Sequence, residues 1–134
     1  MGHLNKAEKL ISIVFQIIAA LILANAAFGK LSGNEMSVHV FHELNILETR
    51  LVIGVIEVLA ALLLISKIPQ YGALLGFGTM LGALIAHVSI LGMEIHNDGG
   101  QMVMMMAIVI LSSIVVMWIN RRRMPFVGHT FSRK

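Results

Sequence analysis

Four apolar stretches separated by polar breaks dominate the chain: residues 10–28, 51–68, 72–93 and 102–119. Each is close to the roughly 20 residues that carry a helix across a ~30 Å hydrocarbon core. Lipid offers no partners for backbone N–H and C=O groups, so spans of this length are expected to be helical. Pro69 ends the second stretch. The pattern predicts an all-α integral membrane protein, one domain over residues 1–134, built as a bundle of four antiparallel transmembrane helices. One connection, residues 29–50, is too long for a tight turn. Within it "EMSVHVFHELNIL" mixes apolar and polar positions and predicts a short helix at the outer surface.

Charge gives the spans a direction. Lys6, Lys9, Lys67, Arg121, Arg122, Arg123, Arg133 and Lys134 fall on one side, and only Lys30 and Arg50 on the other. Eight of ten basic residues on one side is the positive-inside pattern, so both termini are expected in the cytoplasm. Trp118, just before the arginine triplet, suits an inner interfacial anchor. The "ANAA" after the first span resembles a signal-peptidase site, with Ala24 and Ala26 at the small-residue positions, but the first helix is read as retained. Gly2 does not make a myristoylation signal, because Lys6 stands where Ser or Thr is needed.

Composition supports the membrane class. The chain is 57% hydrophobic and 13% charged, with a mean hydropathy of +0.87. Soluble globules carry about twice that charge. Without cysteine there is no disulfide, thiolate metal site or CxxC redox pair. The net charge of +3 does not indicate nucleic-acid binding, because the basic residues flank hydrophobic spans, where topology accounts for them.

Against this background Glu57 stands out. A carboxylate at the centre of a span costs roughly 2.5–3.5 kcal/mol on insertion scales, and such residues usually face other helices. Gly54, Glu57 and Ala61 share a helical face, with Arg50 two turns back. In the third span Gly76, Met80, Ala83 and His87 share a face, continued by Glu94. Glu57 and His87 each lie six residues from the outer end of their span, about 9 Å deep. Equal depth on small-residue faces predicts that they pair in one intrabundle cavity, with Arg50 or Lys30 near its outer end.

Other polar positions are weaker candidates. Gln16 and Asn25 interrupt the first span on opposite faces, so at most one joins the Glu57 centre; Gln16 is carried as a site candidate. Gly72-xxx-Gly76 and Gly78-xxx-Gly82 predict close helix packing. His39 and His42, with His96 and Asp98 in the other outer loop, form at most a weak metal constellation, and no metal is assigned. Met102–Met106 read as adaptable apolar packing, since consecutive methionines cannot converge on one copper ion. No nucleotide loop, catalytic triad or haem signature is present.

The stretches "FGKLSG", "RLVIGVIEVLAALLLI" and "YGALLGFGTMLGALIAHV" resemble the DoxX-like family of small four-helix membrane proteins. Phe28, Gly29 and Lys30 carry the first match, Arg50, Gly54 and Glu57 the second, and Gly72, Ala73, Gly82, Ala83 and His87 the third. The likeness covers about residues 10–120. It implies a bacterial inner-membrane protein associated with redox enzymes or the quinone pool.

Three functions follow as alternatives. The first is a quinone-interacting or redox-complex subunit, in which Glu57 and His87 hydrogen-bond the ring carbonyls and a partner supplies electrons. The second is a carrier of protons or small solutes, which in so small a chain would need a homo-oligomer. The third is a non-catalytic scaffold or assembly subunit.

Overall fold

The computed structural model describes residues 4–92 and 98–124. Their regular structure is entirely helical: α1 is Lys6–Ser32, α2 Glu35–Glu43, α3 Arg50–Leu64, α4 Pro69–Ala86 and α5 Gln101–Ile119. Single turns precede α3 (Leu47–Thr49), continue α4 (His87–Leu91, a π-turn) and follow α5 (Arg121–Arg123). Three helical segments, Lys6–Ser32, Pro69–Leu91 and Gln101–Ile119, are long and apolar enough to cross a membrane.

Local chemistry sets the helix boundaries. Asn5 and Glu8 exchange side-chain and backbone bonds of 2.8 and 3.1 Å, a capping box that opens α1. Gly33, at φ +73°, closes α1 in the left-handed conformation that glycine adopts without strain. Asn34 then caps α2 by accepting from the Ser37 N–H at 2.8 Å. Asp98 accepts from the Gly100 and Met102 N–H groups, satisfying donors at the start of α5. The helix expected in the long connection is α2.

The second apolar run is longer than its helix, and α3, at 15 residues, is not among the three segments long enough to cross a membrane. α3 stops at Leu64, not at residue 68. The Ser66 hydroxyl donates to the Leu63 carbonyl at 2.6 Å and accepts from the Ile68 N–H at 3.1 Å. Pro69 disfavours helical geometry at the residue before it, and Ile68 sits at φ −125°, ψ 58°. Ile65 and Ile68 flank the polar Ser66–Lys67 pair that marks the break, and so carry the apolar run too far. Pro69 itself opens α4, three residues earlier than the third run predicted. The first span, in contrast, extends past its apolar run through Lys30 to Ser32.

α1 packs on α3 and α5, and α4 also packs on α3 and α5. The buried positions are mostly small: Ala19, Ala20, Ala60, Ala61 and Ala73, filled in by Leu23, Leu64, Val109 and Val116. Large apolar side chains such as Leu10, Leu21, Phe28, Leu59, Leu62 and Leu111 point outward. Water-soluble monomers do not keep apolar surface on this scale, whereas helices in lipid bury small residues against one another.

Gly72 shows how close the approach is. A Cβ there would stand 2.5 Å from Leu64 N and 2.6 Å from Ala60 O, both backbone atoms of α3. Gly76 packs on Leu23. The second glycine pair departs from expectation: among the described residues nothing stands within 4 Å of a Cβ added at Gly78 or Gly82, and both face outward. Both pairs have the same spacing, but only the first lies on the buried face of α4.

Candidate functional site

Glu57 is buried, at 1% exposure, and its partner is Lys30 rather than His87. Lys30 Nζ lies 3.1 Å from Glu57 Oε1. The sequence had placed Lys30 outside the first span, at the mouth of the site. Two geometric facts bring it in. α1 continues past its apolar run, and side chains on a helix lean toward its N-terminus. The flexible Lys30 stem therefore reaches back along α1, while Glu57 leans toward the start of α3, and the two converge. Gly54, one turn before Glu57, makes room: a Cβ there would stand 3.0 Å from Leu31 and 3.2 Å from Lys30 Cβ. The Lys30 ammonium also lies 6.0 Å from the centroid of the Phe41 ring, on α2.

Arg50 caps this corner rather than lining the site. Its Nη1 donates to the Lys30 carbonyl, one of the last carbonyls of α1. A cation also suits the negative end of the helix dipole.

His87 is equally buried, at 1% exposure, where α4 gives way to the π-turn. Single π-turns of this kind occur often at functional sites. The ring is held by Gly92, which at φ +87° folds its carbonyl back to within 3.0 Å of His87 Nδ1. The Gly92 N–H in turn donates to the His87 carbonyl at 2.7 Å. A carbonyl only accepts, so Nδ1 carries the proton. In the neutral imidazole Nε2 is then an acceptor, and it is buried with no hydrogen-bond partner among the described residues.

His87 and Lys30 line one cavity of about 70 Å³, roofed by Ser37, Val40 and Phe41 of α2 and walled by Met102 and Met106 of α5. Glu57 is not among its described lining residues but contacts Lys30, which is. The predicted Glu57–His87 pair is thus replaced by a Lys30–Glu57 ion pair beside a His87–Lys30 cavity.

Gln16 belongs elsewhere. Its amide donates to the Leu64 carbonyl at 2.8 Å, and its oxygen accepts from the Ser12 hydroxyl at 2.6 Å. Asn120 donates to Ser12 at 3.1 Å and to the Val116 carbonyl at 2.8 Å. This polar tie fastens α1, α3 and α5 at the end opposite the cavity. Ser12 and Asn120 were missed in the sequence; the i, i+4 spacing of Ser12 and Gln16 was the available signal. Asn25 faces outward.

His39 and His42 lie on α2, while His96 and Glu94 fall outside the described residues. Among the described residues no group of three or more His, Cys, Asp or Glu is placed to hold a metal. Comparison of the chain with protein-family models, curated proteins and solved structures finds no match.

Proposed function

We propose that the chain is a DoxX-like subunit of the bacterial inner membrane that binds the headgroup of a quinone or its reduced quinol between α2 and the α4–α5 pair. The observation that carries this reading is the Nε2 of His87, buried and without a partner among the described residues, beside a cavity it shares with Lys30. A buried acceptor without a partner costs about 1–3 kcal/mol, which a ligand hydroxyl would recover. Neutral His87 matches the O–H of a quinol, and the Lys30 ammonium can donate to a ring oxygen. Val40, Phe41, Met102 and Met106 supply the apolar walls that a ring requires. At about 70 Å³ the cavity is smaller than the roughly 150 Å³ that encloses benzene. It therefore takes the polar edge of a ring, with the remainder at the mouth.

In this reading α3, extended by the turn at Leu47–Thr49, crosses the bilayer as a fourth antiparallel helix, and both termini are cytoplasmic. Electrons pass to or from a redox-enzyme partner. A second reading, as an assembly scaffold, draws on the Lys30–Glu57 pair, whose charges balance without any ligand.

Thermal unfolding in detergent separates the two. A short-chain quinol should raise the midpoint progressively, by about 2.7 kcal/mol in stability at a hundredfold excess over Kd. Its dimethyl ether, which has no O–H, should give no rise. His87→Phe should remove the quinol effect and stay folded, while Gln16→Ala, at the far end, should keep it. Equal responses in wild type and His87→Phe would leave the scaffold reading in its place.

A further inference from the structure

We propose that the end of α5 forms a binding site for the phosphodiester headgroup of an acidic phospholipid, separate from the His87 cavity. Leu111, Ile114 and Trp118 are exposed at helical spacing and form one stripe along α5. The next positions of that stripe are Arg121 and Arg122, in the turn that follows the helix. An apolar strip running into a pair of guanidinium groups matches a molecule with a hydrocarbon tail and an anionic head.

The cationic end is held in place by the fold. The Arg121 guanidinium stacks 4.1 Å from the centroid of the Trp118 ring and donates to the Trp118 carbonyl at 2.7 Å. Arg123 donates to Asn120 Oδ1 at 3.2 Å and to the Lys67 carbonyl. That second bond brings Lys67, from the α3–α4 connection, beside the triplet, so two separate pieces of chain make one basic patch. Arg122 and Lys67 are exposed. Planar guanidinium forks suit phosphate oxygens, and indole rings favour the headgroup level of a bilayer. A soluble anion would use the arginines but gain nothing from the apolar stripe.

Trp118 is the only tryptophan, and it reports directly on the site. The protein would be placed in nanodiscs of phosphatidylcholine containing a minor fraction of brominated phosphatidylglycerol or of brominated phosphatidylcholine. Each basic side chain near the surface enriches acidic lipid by about fivefold. Quenching by the brominated acidic lipid should therefore exceed quenching by the neutral one severalfold. Arg121→Gln with Arg122→Gln should lower the ratio severalfold, leaving only what Lys67 and Arg123 contribute, and added inorganic phosphate should not displace the lipid. Arg121→Lys with Arg122→Lys keeps the charge but loses the forks and the stacked guanidinium, and should cut the preference substantially. Equal quenching in the wild type would overturn the proposal. So would full preference in the lysine variant, which would reduce the patch to diffuse surface charge.

Discussion

Replacing Glu57 by leucine should cost about 3 kcal/mol of stability, although leucine is the more lipid-compatible residue. The substitution leaves the Lys30 ammonium half-buried, without the carboxylate that stands 3.1 Å away. Lys30→Met should be similarly damaging, because it strands a carboxylate at 1% exposure. The double variant Lys30→Met/Glu57→Leu should return to within about 1 kcal/mol of wild type, since apolar replacements of a whole buried pair are often neutral or stabilising. Reversible unfolding in mixed detergent measures all four proteins in one cycle. Additive losses in the double variant would mean that the two side chains do not interact. The cycle also separates structure from function, because the double variant should fold but lose the ammonium that faces the cavity.

The second large effect is expected at Gly72. A methyl group there meets the α3 backbone at 2.5 and 2.6 Å, so relief requires the helices to move apart. Overpacking typically costs about 1–3 kcal/mol, and rigid backbone places Gly72→Ala at or above the upper end. Gly82→Ala makes the opposite prediction. Among the described residues it meets nothing within 4 Å, and alanine is about 1 kcal/mol better than glycine within a helix. Unfolding midpoints in detergent should therefore fall for Gly72→Ala and hold or rise for Gly82→Ala. A comparable loss in both would show that the two faces of α4 are packed alike.

Much of the fold was legible because span length and hydropathy report directly on lipid-crossing helices. The three long segments were readable that way, the short α2 helix from the mixed pattern of the long connection, and the close packing at Gly72 and Gly76 from their spacing. The early end of α3 was not, since the apolar run was carried across the polar Ser66–Lys67 pair to Ile68, whereas Ser66 and Pro69 end the helix through the backbone. The outward-facing Gly78 and Gly82 escaped because spacing identifies a face without saying which way it turns.

At the site, Glu57 and His87 were found as ionisable residues inside apolar helices, and both are buried. Their pairing was argued from equal depth on small-residue faces. Depth omits side-chain reach, and a lysine at the end of α1 spans the gap that a histidine on α4 was expected to fill. The role of Gly92 could not be inferred in advance. Its carbonyl fixes the His87 tautomer only once the chain turns back at φ +87°.

The proton on His87 tests the quinol site most directly. Protein labelled with nitrogen-15 in its histidine rings would be compared with His87→Phe to identify the His87 signals, in micelles at neutral pH. Nδ1 should be protonated and Nε2 bare. Adding a short-chain quinol should shift Nε2 and leave Nδ1 nearly unchanged, while the quinol dimethyl ether should shift neither. A proton on Nε2 with Nδ1 bare, or an Nε2 signal indifferent to saturating quinol, would contradict the quinol site.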